Sequence, residues 1–529
     1  MTTVTAPTVG GLVGWAAATD HKRLAARAGV LSGIFFTAGG VVALIMRSEL
    51  AQPGLQVVSR QNYNELFSLH GSTMLYLVMT PAALGLGMYL IPLQIGAADL
   101  LAPRLNLFAV WLIFGGGLLS YMGLLTAHGP ADVGWTAFPP LSDRTFSPGP
   151  GVDFWIAGTA LAALAAIILS ATMLGTVLLR RAPGMTMLRL PVFCWAMVAT
   201  CLLTLFSFPA LLAALGVLFA DRHLGFGLDP VTYLHLFWFF GHPVVYVLFF
   251  PFVGAVAEVV AVCSRRRFAG YVPLVISLLG FSALSMAVWA HHMFTTGQVD
   301  NRYFGVTSTA LLIFAGIEYL DLVATMWGGA LIFRTSMLFA VAFMVQFLVG
   351  GLTGIIVASP VLDYHFNDSY FVIAHFHYTL FAGSLFGLFA GIYHWYPKWT
   401  GHRLGEGLGK LHFWLLLIGT NLTFFPMFVL GYDGMTRRIA DYPADAGFTR
   451  MNELATLGSV VIAVGMLVFV ANLIRSWSRA EPAESDPWEG HTLEWWTSSP
   501  PPRHNFDSLP EIRSYAPLLD LREDAEGSR

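Results

Sequence analysis

The chain has 529 residues, of which 56% are hydrophobic and 11% charged, and its mean hydropathy is +0.66. A soluble domain of this length needs about 25% charged residues to cover its surface, so that class is excluded and lipid is the main solvent. The formal net charge of -3 gives no basis for a nucleic-acid partner.

Apolar runs of about 20 residues, enough to span a bilayer, recur at 28–46, 69–92, 107–126, 153–179, 190–217, 231–260, 271–292, 305–330, 336–358, 370–396, 412–431 and 455–476. The pattern predicts an all-α membrane protein with twelve transmembrane helices in one bundle. A cytoplasmic N-terminal segment 1–27 and a cytoplasmic tail 480–529 flank the membrane domain 28–479. No basic stretch followed by a short apolar one opens the chain, so no cleaved signal peptide is expected. The connections on the side of both termini hold about twice the Lys and Arg of the opposite set, which predicts both termini in the cytoplasm. Cys194, Cys201 and Cys263 form no CxxC pair and read as small buried hydrophobes rather than a disulfide framework or a zinc site. The tail, with "SSPPPRHNF", is Pro-rich and polar and reads as an extended segment rather than a domain.

Histidines carry the chemistry. Of the sixteen, His21, His128, His223, His394, His402, His412, His491 and His504 fall in loops or at helix ends and read as solvated or hydrogen-bonded. His235 and His365 read as structural. The other six, His70, His242, His291, His292, His375 and His377, sit in apolar surroundings near one side of the membrane. An ionisable group there costs roughly 2.5 kcal/mol or more when charged, so its default reading is functional. At 100° per residue, His375 and His377 in "AHFHY" point about 200° apart, so they cannot share a metal but can each ligate a different one. One helix then stands between two haems. His291 and His292 in "WAHHMF" and His242 in "FFGHPVVYV" bring three imidazoles from two helices, a set that suits copper with an open position. Tyr246 lies one turn after His242 on the same face and reaches the same metal. Arg437 and Arg438, in "GMTRRIADYP", lie on the face where arginine is disfavoured. Adjacent guanidiniums there can clamp the two propionates of a haem.

Taken together, "TDHKR", "HLFWFFGHP", "WAHHMF", "AHFHY" and "SSPPPRHNFDSLP" closely resemble subunit I of the haem-copper oxidases, over nearly the whole chain. The resemblance implies that His70 and His377 are axial ligands of a low-spin, electron-transferring haem, and that His375 is the proximal ligand of a high-spin haem. It implies CuB on His242, His291 and His292, and a covalent bond from Tyr246 to His242 that lets the tyrosine give an electron and a proton to O–O cleavage. Arg47 matches an arginine that touches the formyl group of the low-spin haem, which fits haem A at both sites. A magnesium or manganese site shared with subunit II uses a His-Asp pair in the family; Asn367 and Asp368 stand there. No CxxxC copper site or CxxCH haem attachment is present, so a second subunit must carry the electron-accepting centre, with a subunit III beside it. Cytochrome c is the usual donor and quinol the alternative.

The proton routes depart from the family. Its usual Gly-His-Pro-Glu-Val-Tyr is "GHPVVY" here, so Val244 replaces the glutamate that ends the D pathway, and Phe240 and Gly241 supply no substitute. Asp99 and Asn106, in "GAADLLAPRLN", match that pathway's mouth, yet Met88 replaces another asparagine. Proton hopping needs an unbroken series of hydrogen-bonding groups, so Asp99 reads as a remnant. In the K pathway, Glu318 stands at the lysine, Ala315 at a threonine and Ala257 at a serine. Glu318 and Asp321 share a helical face.

The expected activity is therefore reduction of O2 to water by a respiratory oxidase in a bacterial cytoplasmic membrane, open to coupling with proton translocation, with Asp99, Asn106 and Glu318 as the candidate proton-transfer residues. The alternative within the superfamily is nitric oxide reduction, which needs fewer protons, splits no O–O bond and uses carboxylates near its second metal. Tyr246 and an all-histidine ligand set weigh toward oxygen. Outside the superfamily, a solute transporter would show repeats and discontinuous helices, and an inactive haem-binding sensor or assembly paralogue would have lost part of its ligand set.

Overall fold

The computed structural model describes residues 11–479 and 482–527; the first ten residues of the 1–27 segment, and Ala480, Glu481, Ser528 and Arg529 of the tail, lie outside the described residues. Among the described residues, twelve helices are long and apolar enough to cross a membrane. They are α1 (His21–Glu49), α2 (Arg60–Gln94), α3 (Pro103–Leu125), α4 (Gly151–Leu179), α5 (Val192–Leu224), α6 (Pro230–Cys263), α7 (Tyr271–Thr296), α8 (Asn301–Met326), α9 (Thr335–Val357), α10 (Tyr370–Thr400), α11 (Glu406–Tyr432) and α12 (Thr449–Arg479). Each contains or closely overlaps one of the apolar runs in the sequence. Among the described residues no sheet forms, only two isolated bridges, Ser369 with Thr436 and His402 with Pro482.

Helix starts are fixed by side chains that take up otherwise orphaned N–H groups. Asp20 accepts from the N–H groups of Lys22 and Arg23 to open α1. Asp229 accepts from Thr232 N at 2.8 Å ahead of Pro230, and Asp300 accepts from Tyr303 N at 2.9 Å to open α8. Within the bundle, α2 and α6 are central, with 94% and 89% of their most apolar windows buried, whereas α1 and α8 lie at the periphery and bury only 17%. The two enclosed helices carry His70, His242 and Tyr246, so the fold places its candidate site residues away from lipid.

Two of the histidine-bearing helices are wound more loosely just past their ligands. A π-helical turn spans Thr73–Met79 after His70, and another spans Leu380–Leu385 after His377. Turns of this kind recur at functional sites. In α2 the Thr80 hydroxyl donates to Leu75 O at 2.8 Å, and Pro81 next to it has no N–H to offer, which together account for the loosened register. In α6, Pro243 cannot donate to the carbonyl four residues back, which loosens the helix beside His242.

The tail crosses the end of the bundle opposite the metal-bearing halves of the helices. Much of it is irregular, but it is packed down: Leu493, Glu494 and Trp495 are buried, and Glu494 accepts from Gln94 Nε2 and Trp395 Nε1, each at 3.0 Å. Lys398 Nζ donates to the carbonyls of Ser485, Thr497 and Ser498. A final short helix, Pro517–Gly527, is held by an ion pair between Asp520 and Arg267 at 2.8 Å. This cover explains why His21, His394 and His491, expected to be solvated or hydrogen-bonded in loops or at helix ends, are buried, whereas His412 is buried between helices against Phe339, Phe389, Tyr393 and Phe469. His21 Nδ1 lies 3.1 Å from Met88 O, and its Nε2 lies 3.1 Å from Asn505 Oδ1.

Candidate metal centres

His242 from α6 meets His291 and His292 from the tight 3-10 turn Trp289–Thr296 that ends α7. One nitrogen from each ring lies within 4.8 Å of the others, the only group of three or more metal-ligating side chains among the described residues. Ring centroids are 4.5 Å apart for His242 and His291, 5.5 Å for His242 and His292, and 4.2 Å for His291 and His292. Trp238 stacks on His292 at 3.9 Å, and the Ser308 hydroxyl lies 2.7 Å from His291 Nδ1, fixing both rings. His242 Nδ1 and His292 Nε2 approach to 3.4 Å, while His242 Nε2 is buried with no hydrogen-bond partner. A trio of buried or half-buried imidazoles with one nitrogen from each within 4.8 Å of the others fits a borderline-soft cation. Tyr246 lies beside His242, ring centroids 4.9 Å apart, and packs on Phe250 and Phe281.

The remaining three histidines follow one pattern. His375 Nδ1 is 3.0 Å from Gly350 O and 3.2 Å from Thr353 Oγ1. His70 Nδ1 is 3.0 Å from Gly39 O, and His377 Nδ1 is 2.8 Å from Ile373 O. In each ring Nδ1 donates to a carbonyl, which fixes the tautomer and leaves Nε2 as the free lone pair a metal takes. His70 and His377 face each other with centroids 6.5 Å apart and planes 20° apart. Two metal–nitrogen bonds of about 2 Å plus the reach from each nitrogen to its ring centre amount to about 6.3 Å, so one iron fits between them. His375 instead points to α9, where a Cβ added at Gly354 would come within 3.0 Å of its Cε1. The two histidines of "AHFHY" therefore serve different neighbours, as their angular separation requires.

Arg47 on α1 is buried; its Nη2 donates to Asn452 O and Oδ1 at 3.0 Å, while Nε and Nη1 have no partner. Two unpaired guanidinium nitrogens in the bundle call for an acceptor such as a haem substituent. Arg437 and Arg438 diverge. Arg437 Nε donates to Asp368 Oδ1 at 2.6 Å and its main chain to Asp368 O at 2.8 Å. Arg438 lies over the Phe67 ring, its Nη2 3.4 Å from Thr136 Oγ1. Burial, and then Arg437, push the Arg438 guanidinium down to about 10, a position that a propionate partner would relieve. Asn367 and Asp368 do not converge as ligands: Asn367 Nδ2 donates to Asp363 Oδ2 at 3.1 Å while Asp368 is held by Arg437.

The proton-route residues also separate. Asp99 accepts from Leu100 N at 2.8 Å and His21 N at 3.1 Å, and Asn106 is buried between Leu101 O and the Thr172 hydroxyl. Glu318 is 3% exposed in the seam of α7 and α8; Ser277 Oγ is 3.4 Å from its Oε1, and its Oε2 has no partner. Sequence reasoning missed Ser308, Gly350, Thr353 and Trp238. The one signal for any of them is the small-residue run "GGLTG" in α9, which marks a close approach.

Residues 23–464 match the family described as cytochrome c and quinol oxidase polypeptide I. The chain is 48% identical over 511 residues to a probable cytochrome c oxidase subunit 1-beta of Nocardia farcinica, covering 95% of this chain and 87% of the relative. It is 48% identical over 512 residues to cytochrome c oxidase subunit 1 of Corynebacterium efficiens, covering 95% and 88%. With a putative subunit 1-beta of Streptomyces coelicolor it shares 46% over 518 residues, covering 96% and 90%. A heme-copper terminal oxidase dimer solved by cryo-EM has the same fold, with a TM-score of 0.74 at 20% identity over 86% of this chain and 84% of that one.

Proposed function

The chain belongs to the cytochrome c and quinol oxidase polypeptide I family, and on that premise we propose which of its residues hold the metals and move protons. It is the catalytic subunit of a haem-copper terminal oxidase of the cytochrome c oxidase type, a multi-pass membrane oxidoreductase that reduces O2 and works with a subunit II. When bound, its haems and copper supply the redox steps that carry electrons to O2.

Within the proposal, His70 and His377 hold the low-spin haem, His375 the high-spin haem, and His242, His291 and His292 the copper. The single observation carrying it is the approach of one nitrogen from each of His242, His291 and His292 to within 4.8 Å of the others. The carbonyls of Gly39, Ile373 and Gly350 orient the other rings. Tyr246, next to His242, gives an electron and a proton to the reaction. Arg438 and Arg437 meet haem propionates, and Arg47 a formyl group, which points to haem A at both sites. Glu318 carries protons, whereas Asp99 and Asn106 serve the local structure. A divalent magnesium or manganese ion at Asp368 draws its other ligands from subunit II and competes with Arg437 for the carboxylate.

The donor is cytochrome c, a subunit III completes the core, and the complex lies in a bacterial cytoplasmic membrane. The basic connections put both termini, and so the tail, on the cytoplasmic side, with 1–27, 28–479 and 480–529 as the N-terminal, membrane and tail segments. Glu318 lies outside the only metal-ligating trio among the described residues, which takes away the structural reason for the nitric oxide alternative. The test compares O2 and NO uptake by one purified preparation with its copper and iron quantified, donors being reduced cytochrome c and a quinol. Rapid O2 uptake with copper present and cytochrome c as donor is expected; NO uptake with iron in place of copper overturns the reading.

A further inference from the structure

The seam between α7 and α8 holds the ionisable pair that the local structure does least to satisfy. Glu318 is buried, with 3% of its surface exposed, and its Oε2 has no partner. The one hydroxyl within reach, Ser277 Oγ, lies 2.8 Å from Phe314 O and 3.4 Å from Glu318 Oε1. A hydroxyl has one proton to donate, and the shorter contact takes it, so neither oxygen of Glu318 has a fixed donor. Asp321 follows three residues later on the same face, nearer the tail-covered end, and is half-buried; its Oδ2 is likewise unpartnered. Asp321 abuts Gly270, which opens α7 at φ +80, so closely that a Cβ there would overlap Oδ1. Gly270 ends the connection that follows Arg265, Arg266 and Arg267. From there Glu318 is one helical turn deeper, and Phe281 on the facing side of the seam packs both on Tyr246, centroids 4.5 Å apart, and on Phe314, centroids 6.1 Å apart, one turn before Glu318.

Carboxyls that only brace a structure are tied down by donors; a carboxyl that must take and release protons cannot be. A group buried in a membrane at this cost is kept for function. We infer that Asp321 collects protons at the mouth of the α7–α8 seam and hands them to Glu318, the pair forming the proton route of this chain. The inference rests on the proposed role of Glu318 and adds the group that reloads it.

Each electron that reaches the metal centre is matched by one proton passed along the pair. Glu318 releases one proton toward Tyr246 and becomes a carboxylate, Asp321 returns one proton to Glu318, and water at the 264–270 connection returns one to Asp321. Over a turnover four electrons and four protons convert one O2 to two waters, and both carboxyls end as they began. Matching each electron with a proton avoids stranding charge in a low-dielectric interior.

The test uses the intact oxidase complex with Asp321→Asn, Asp321→Ala, Glu318→Gln and Glu318→Asp. Reduction of the two haems is followed separately under anaerobic stopped flow, alongside O2 uptake. Asp321→Asn is expected to slow high-spin haem reduction and O2 uptake tenfold or more, with low-spin haem reduction and the resting optical spectrum unchanged. Formate, a small acid that fits the space of the deleted carboxyl, should recover at least threefold of the rate in Asp321→Ala, and Glu318→Asp should keep more activity than Glu318→Gln. A rate within twofold of wild type in Asp321→Asn overturns the inference, as does a loss in Asp321→Ala that formate leaves in place. Slow Glu318→Gln beside normal Asp321→Asn leaves the Glu318 role standing and rejects Asp321; both at wild-type rate reject both.

Discussion

Two carboxyl regions on the same side of the bundle have opposite characters. At Asp99 the carboxylate is bound by two main-chain N–H groups, His21 next to it is bound to Met88 O and Asn505 of the tail, and Asn106 is bound at both ends of its amide. Above it, Met88, Met173 and Met197 are fully buried, with Met173 and Met197 closing on Gly87. The hydroxyls of Thr200, Thr204 and Ser207 on α5 all donate to carbonyls four residues back in their own helix. At Glu318 and Asp321 the opposite holds: one oxygen of each carboxyl has no partner, and the single hydroxyl beside Glu318 makes its shorter hydrogen bond to Phe314 O. Hydrogen-bond satisfaction, more than the presence of an acid, separates a structural carboxylate from one able to relay protons.

Both regions lie below one metal centre, and the largest effects are expected at that centre. His375→Ala is expected to remove the high-spin haem and abolish O2 uptake while leaving the low-spin absorption, because His70 and His377 hold their own iron. Difference spectra of the purified variant decide it, and retention of the high-spin signal would reject the ligand assignment. Tyr246→Phe keeps the ring contacts with Phe250 and Phe281 but removes the hydroxyl. An O2 uptake rate at least a hundredfold lower with both haem signals intact is expected; an unchanged rate would reject its chemical role and leave the seam without a recipient.

Much of this was legible before any coordinates. Twelve helices follow from apolar runs of membrane length, since backbone polar groups in lipid have no other way to be satisfied. The six histidines stood out because ionisable groups in apolar sequence are expensive, and the 200° offset of His375 and His377 already assigned them to different neighbours. What was illegible depends on contacts between distant segments. The carbonyls of Gly39 and Gly350 that orient His70 and His375 have no side-chain signature, and Ser308 lies seventeen residues from His291 on another helix. The tail's packing was hidden for the same reason: its Pro-rich composition says nothing of Glu494, whose donor Gln94 is 400 residues away. Met88 announced a lost asparagine, but only packing shows Met173 and Met197 sealing the same level.

The smallest expected effect belongs to Asp99. In a relay, replacing the carboxyl at the mouth stops uptake. In a cap, the oxygen that matters is the acceptor, and an amide keeps one. Asp99→Asn can still accept from Leu100 N and His21 N, so the turn into α3 should hold. The neighbouring Lys22 loses a nearby negative charge at a site that is partly exposed, where such pairs contribute about 1 kcal/mol or less. O2 uptake within twofold of wild type is therefore expected, with unchanged haem reduction kinetics, in the same preparation where Asp321→Asn is slow. A tenfold loss in Asp99→Asn with both haem spectra intact would mean that protons pass the methionine layer, and the contrast between the two regions would have to be drawn from something other than hydrogen-bond satisfaction.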